Sequence, residues 1–536
     1  MKNHSENINL LMLDIKEKIG KPVSSRVVMA TIESLGIRDI DVSNDFGFES
    51  IKSLAEYIFK EINSLPDYHD IKNINELHDD ENNKTIQVSD YLHVKAKLFA
   101  KHYPLGIIHL LPVFLQIAAI IIFGYSLWTY IGFNEIQSTA VVLGVMLGLI
   151  ITGGFVQVIG RQATFYWNYD DIQMVKTTVF YLIRKGSLIL FSSILILTFM
   201  NFVLQLFPFL LIIVIFAYAF LIGLLLLVFA PLHTIKQRWV ISVAILAGTG
   251  LSIYIKETTN LLIYVTHWIG IFCAIVIAFL FLIIYFKYKI GKKQHSTNIR
   301  FKTPILLYQN YKYFIYGMAV YVFIFIDRIL AWTADSSGKL PLIIYFEKDY
   351  ELGMDLAILV FLLMTGVLEY SIVSFSKFLD IGQKIISYSS TEKFNKQFIK
   401  MYWHNIMILF ITFVLISILI YFIIYAPWGY KGQFNQMLDV KSIRVCIIAG
   451  FGYFFLAWGM LNSLYMFTLG RPNQPVKGLI IACIVNLSVG FILSRFVSYE
   501  YSVVGMLCAS IFFMLFTYRA SKKFFKNLDY YYYAAY

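Results

Sequence analysis

In the stretch YVFIFIDRILAW, residues 321–332, an aspartate and an arginine stand side by side among Ile, Phe and Leu. A carboxylate in such a setting can carry a proton or cation, or accept hydrogen bonds from ligand hydroxyls. A guanidinium can hold a carboxylate, or snorkel to water along its aliphatic stem. Neighbouring helical residues diverge, because only positions i, i+3 and i+4 share a face. Asp327 and Arg328 are therefore expected to need separate partners. Two readings stay open: Asp327 lines a cavity as a ligand or coupling group, or the charges form a structural lobe-locking bridge with Arg328 snorkelling outward.

Other polar residues stand in equally apolar surroundings: Glu369, Arg495, and the neutral set Gln116, Gln157, Asn201, Gln205, His267, Asn462 and Asn486. Interhelical hydrogen bonding is the plainer task for the neutral set. His267, in YVTHWIG, has no catalytic companion and reads as a buried, satisfied histidine. No CxxC or Cys/His spacing suggests a metal site, and there is no G-x-x-x-x-G-K-[ST] loop for a nucleotide. No cofactor is expected.

The elements that position these residues are membrane spans. The chain has 536 residues, mean hydropathy +0.67, and only 15% charged residues, against about 25% in soluble proteins. Twelve apolar runs approach the roughly 20 residues a crossing needs: 104–131, 137–160, 187–206, 208–231, 239–255, 260–286, 313–333, 354–376, 403–426, 443–469, 476–496 and 502–518. Phe207–Pro208 separates the third and fourth as a tight hairpin. Residues 1–103 hold 13 Lys/Arg and 17 Asp/Glu; the remainder hold 32 and 16. Such a basic membrane region is a topology signal, not a nucleic-acid footprint. The heaviest basic segments are 287–312 and RASKKFFK, 519–526. They place both termini in the cytoplasm, and the polar start MKNHSENINLL offers no signal peptide.

With that orientation Asp327 and Arg328 fall in the outer third of span 7 and Glu369 in the inner third of span 8, too far apart for a shared site. Glu369 then belongs either to an inward-facing vestibule or to the basic inner surface. Arg495, at the outer end of span 11, lies at the depth of Asp327 and is a candidate partner. Arg161 and Gln162, at the inner end of span 2, are candidates for a cytoplasmic entrance, with a simple topology anchor as the alternative. Spans 1–3 recur as spans 7–9, and amphipathic cytoplasmic segments at 161–186 and 377–402 match in length. The reading is an all-α polytopic membrane protein with twelve helices in two six-helix lobes. The segments are 104–286 for the first lobe, 287–312 for a basic inter-lobe loop, 313–518 for the second lobe and 519–536 for a cytoplasmic tail. Paired halves of one orientation are a transporter-like arrangement.

The segments 311–338 and 350–378 carry an acidic–basic pair, an aromatic stretch, and then Tyr350, Asp355, Ala357, Phe361 and Leu362. This pattern resembles PelG-like exopolysaccharide transporters of the multidrug/oligosaccharidyl-lipid/polysaccharide flippase superfamily. The resemblance covers about 430 residues, with its distinctive residues in 311–400. It implies a non-enzyme in a bacterial cytoplasmic membrane, exporting a polysaccharide or lipid-linked saccharide by rocking two lobes about a cavity. Asp327, Arg328, Glu369, Arg495, Gln157, Asn462 and Asn486 are then the substrate or coupling candidates, since amides among aromatic rings suit a glycan path. A glycosyltransferase or synthase-complex partner at the cytoplasmic surface, and membrane lipids around the spans, are also implied. A cation-coupled small-molecule exporter of the same fold and a polytopic acyl- or glycosyltransferase are the alternatives.

Residues 1–65 depart from that family as a small helical domain, followed by an acidic linker and pre-membrane segment at 66–103. Within it 26–62 reads helix, loop, helix, and Ile51, Leu54, Ile58 and Ile62 make one apolar stripe. Gly47-Phe48-Glu49-Ser50-Ile51 resembles the site where acyl carrier proteins receive phosphopantetheine, with Glu49 in place of aspartate. Ser50 is the carrier-type serine under that resemblance; a helical docking domain is the other reading.

Overall fold

The computed structural model describes residues 2–19, 22, 24–64, 111–291, 303–334, 342–385, 391–427, 429–434 and 436–533. The linker at 66–103 lies outside the described residues. Four short helices come first: α1 (Lys2–Ile19), α2 (Ser25–Ser34), α3 (Asp39–Asp45) and α4 (Ile51–Ser64). The stripe Ile51, Leu54, Ile58 and Ile62 is buried against Leu11, Ile15, Val28 and Ile32. Helices α1 and α3 go beyond the helix–loop–helix expectation, and α1 supplies the apolar partners that the stripe requires. Ser50 precedes α4, and its Oγ accepts from Ser53 N at 3.3 Å, a helix-capping arrangement.

The membrane helices follow: α5 (Leu111–Phe123), α6 (Glu135–Asn168), α7 (Ile172–Leu204), α8 (Phe209–Thr234), α9 (Trp239–Thr258), α10 (Ile263–Gly291), α11 (Thr303–Trp332), α12 (Lys348–Ile385) and α13 (Thr391–Tyr425). After the short α14 (Tyr430–Phe434) come α15 (Val440–Thr468), α16 (Asn473–Phe496), α17 (Ser502–Lys526) and the terminal α18 (Leu528–Tyr533). Among the described residues eleven helices are long and apolar enough to cross a bilayer; α5, with 13 residues, is the shorter apolar one. In the most apolar window of α7 only 6% of residues are buried. Its rings and aliphatics, such as Leu195, Phe199 and Phe202, are therefore solvated by lipid.

Several boundaries differ from the sequence expectation for one reason. Helix α6 has 34 residues, about 51 Å of rise, which exceeds a hydrocarbon layer of about 30 Å. The excess absorbs what reads as a separate amphipathic segment at 161–186: α6 runs to Asn168, and α7 starts at Ile172 after a turn at Asp170 with φ 58°. Likewise α12 reaches Ile385 and α13 starts at Thr391, inside 377–402. The inter-lobe segment 287–312 is entered by α10 and α11, and α17 extends into the tail to Lys526. The first run, 104–131, ends its described helix at Phe123. Residues 124–131 fold back, with Ile131 N donating to Gly124 O at 3.0 Å. The hairpin between the third and fourth spans is as expected. Asn201 closes it, donating from Nδ2 to Phe207 O at 3.0 Å and accepting from Phe207 N at 2.9 Å.

Helices α6–α10 share one apolar core and α11–α17 another, with Ala140, Leu143, Met146 and Ile215 of the first lobe reaching into the second. The lobes meet mainly along α6 and α11. At their crossing Gly153 and Gly317 face each other so closely that a Cβ on Gly317 would stand 2.5 Å from Gly153 O. Only glycine permits this backbone approach.

The two chain ends also meet. Ser24 Oγ donates to Asp529 Oδ2 at 3.0 Å, Arg26 Nη1 to Asn527 Oδ1 at 2.5 Å, and Tyr530 Oη to Glu33 Oε2 at 3.2 Å. The small N-terminal domain thus rests on α18, on the same side of the helix bundle as the C-terminus.

Candidate functional site

Asp327 and Arg328 lie on α11, 0% and 5% exposed. As their different helical directions require, they do not pair with each other. Tyr350 Oη donates to Asp327 Oδ2 at 2.7 Å. Arg328 Nη1 pairs with Glu351 and, at 3.3 Å, with Asp355 Oδ1. Trp332, one turn beyond Arg328, donates from Nε1 to Glu351 Oε1 at 3.0 Å. Two i,i+4 pairs therefore face each other: Arg328 and Trp332 on α11, Glu351 and Asp355 on α12.

This arrangement corrects both details of the structural reading. Arg328 does not snorkel, and its partners belong to its own lobe, so the pair locks α11 to α12 and not lobe to lobe. Arg495 does not meet Asp327. It donates from Nη1 to Leu330 O at 3.3 Å and from Nη2 to Thr333 Oγ1 at 2.7 Å, because the last carbonyls of α11 lack helical N–H donors and attract a cation.

Asp327 Oδ1 is buried without a hydrogen-bond partner. One turn earlier, Phe323 O accepts from Asn486 Nδ2 at 3.0 Å, and Asn486 Oδ1 is likewise unpartnered. Helices α11 and α16 thus each bury a free oxygen acceptor. A bare buried carboxylate oxygen is costly, and a proton or a cation would relieve it. Among the described residues no group of three or more His, Cys, Asp or Glu is placed to hold a metal ion.

The remaining candidates separate into packing and interface roles. Asn462 bridges helices, accepting from Tyr402 Oη at 2.9 Å and donating to Thr517 Oγ1 at 3.3 Å. Gln116 donates to Thr249 Oγ1 at 2.9 Å, and His267 Nδ1 lies 2.6 Å from Tyr218 Oη. These are interhelical bonds of the expected kind. Gln157 lies at the Gly153/Gly317 crossing, between the lobes. Gln162, further along α6, is buried, 7% exposed. Arg161 reaches from α6 to Gln309 O at 3.1 Å and Asn310 Oδ1 at 2.8 Å, with its guanidinium 3.8 Å from the Tyr313 ring centroid.

Glu369 meets Arg238, at the start of α9, at 2.8 Å. This interlobe bridge is on the side that carries both termini, about 31 Å of helix rise from the start of α12. The opposite side has its own interlobe link: Tyr345 Oη donates to Glu135 Oε2 at 2.5 Å and Phe346 N to Thr139 Oγ1 at 2.9 Å. The bond to Glu135 pushes the Tyr345 phenol up to about 12. The phenol therefore stays protonated at neutral pH, and the link weakens only as pH rises beyond the ordinary tyrosine value near 10.

Sequence reasoning missed Glu351 and Arg238. Glu351 sits next to Tyr350 and one helical turn before Asp355, a pattern that could have exposed it. Arg238 gives no local signal, because it reads as one more topology charge.

The architecture is that of a MATE-like membrane transporter fold. The chain is similar to an outward-facing multidrug resistance MATE family transporter of the MOP superfamily, with TM-score 0.55 and 12% identity over 81% of this chain and 96% of that one. It is similar to an inward-facing MATE transporter of the same superfamily at TM-score 0.51 and 13% identity, covering 77% and 99%. A MATE structure in complex with MaD3S gives 0.54 and 14%, covering 80% and 96%. No protein-family model and no curated protein sequence matches the chain.

Proposed function

We propose that the protein exports a saccharide, a PelG-like exopolysaccharide or a lipid-linked saccharide, across a bacterial cytoplasmic membrane by alternating access of its two lobes. The observation that carries the reading is the α11–α12 network. The residues behind the family resemblance, Asp327, Arg328, Tyr350 and Asp355, are brought together in one cluster, buried except for the exposed Asp355 side chain, instead of being scattered. Similarity to both outward- and inward-facing transporters supports the rocking motion. The contact between the N-terminal domain and α18 supports an even number of crossings, with α5 as part of the twelfth, and the basic residues on that side support a cytoplasmic location for both ends. In this reading Asp327 carries the coupling proton or cation, and the N-terminal domain offers the docking surface for a synthase partner.

Deletion of the gene is expected to abolish extracellular polymer while intracellular synthesis continues. Unchanged secretion together with increased drug sensitivity would instead indicate the small-molecule exporter.

Alternating access requires Arg238 and Glu369 to part whenever the lobes open on the terminal side. Both side chains are 22% exposed, so the bridge contributes at most about 1 kcal/mol. Glu369→Gln should therefore shift the population toward the form open on that side by up to about fivefold. Spin-label distances between α9 and α12 would report the shift, and the reversed pair Arg238→Glu/Glu369→Arg should restore most of the closed form. Distances unchanged by Glu369→Gln would remove the bridge from the transport cycle.

A further inference from the structure

On the side that carries both termini, a cavity of about 750 Å³ opens between the ends of α6, α11 and α17 and the α15–α16 turn. Arg161, Lys312, Arg471, Arg519 and Lys523 line it, and no lining residue is a carboxylate. Its size falls in the range of small-ligand sites, about 300–1,000 Å³. Topology-setting charges on a convex surface each find their own water. Here five cations converge on one concavity, and none forms an ion pair with a carboxylate among the described residues. Their mutual repulsion is relieved by an anion of more than one charge.

We infer that this cavity is a binding site for a phosphate-bearing lipid headgroup. Three of the five cations are arginines, whose planar forks match phosphate oxygens. Arg161 comes from the first lobe and the other four from the second, so a bound headgroup bridges the lobes. Tyr531 of α18 forms part of the wall, with the Arg471 guanidinium 5.1 Å from its ring centroid. The phosphate can belong to a phospholipid of the surrounding leaflet or to a lipid-linked saccharide. The site stands whether or not a polysaccharide is the exported cargo, because it is built from the cavity and its charges alone.

The test is native mass spectrometry of the full chain in detergent, titrated with cardiolipin or with phosphatidylcholine. Cardiolipin is expected to give a retained adduct that phosphatidylcholine does not. With about 1 kcal/mol per basic side chain at a membrane surface, the double variant Arg471→Gln/Arg519→Gln should weaken the adduct more than tenfold. A control variant, Lys287→Gln/Lys289→Gln on α10 outside the cavity, should leave it unchanged. Should the first variant fail to elute as folded protein, Lys312→Gln/Lys523→Gln replaces it. Competition by soluble inorganic pyrophosphate would assign recognition to the phosphate group itself, as a lipid-linked saccharide diphosphate would need. An adduct insensitive to pyrophosphate but lost in the cavity variant would assign it to an intact phospholipid. Equal adducts in the wild-type and cavity variants, or equal loss in the α10 control, would overturn the site.

Discussion

Arg328→Met is expected to cost about 3–5 kcal/mol of stability, because it leaves Glu351 buried without its cation. Domain stabilities are about 5–15 kcal/mol, so the variant should lose most of its folded yield in detergent. Methionine fills nearly the same volume, and the loss would thus report charge and not a cavity. The companion Arg328→Met/Glu351→Gln removes both charges while leaving an amide oxygen to accept from Trp332 Nε1. It should recover most of the yield, since replacing a buried pair as a unit is often close to neutral. Asp355 will not rescue the single variant: its side chain is 68% exposed and has water in place of the lost arginine. Size-exclusion profiles and thermal midpoints read both variants. If Arg328→Met eluted and melted like the wild type, the guanidinium would have to be solvated, and the lock between α11 and α12 would be wrong.

The second large effect falls on transport. Asp327→Asn should abolish export while the protein accumulates in the membrane at wild-type level. The amide keeps an acceptor for Tyr350 Oη and removes only the ability to bind a proton or a cation. The unpartnered Oδ1 is the reason for expecting a working group here: a residue kept only for structure would have both oxygens bonded. The measurement is extracellular polymer against immunodetected membrane protein. Tyr350→Phe, which strips the bond to Oδ2 but keeps the carboxylate, should reduce export without ending it. Loss of folded protein in Asp327→Asn would make the residue structural.

How much of this was legible in the sequence depended on how far each interaction reaches along the chain. Hydropathy located the eleven helices long enough to cross a bilayer, and the Phe207–Pro208 break located the hairpin, because both are written in consecutive residues. Helical geometry was enough to say that Asp327 and Arg328 would not pair. Their partners were within reach as well, since Tyr350, Glu351 and Asp355 follow 23–27 residues later in the segment that carried the resemblance. Depth alone misassigned Arg495, because two residues at one level of the bilayer can face different ways. The bridge between Arg238 and Glu369 spans 131 positions and joins two lobes whose relative placement no local pattern encodes. Helix ends were misplaced for a simpler reason: polar, amphipathic extensions past the hydrocarbon continue the helix while losing the apolar signal.

The meeting of the two chain ends has a consequence for how the protein is made. The N-terminal domain leaves the ribosome before its seat, Asn527 to Tyr530, with all the described membrane helices in between. Throughout insertion of the intervening helices the domain must hold together on its own apolar core. The clasp closes only after α17 has been released, so an intact contact between Arg26 and Asn527 marks a chain in which the helices between them have been threaded.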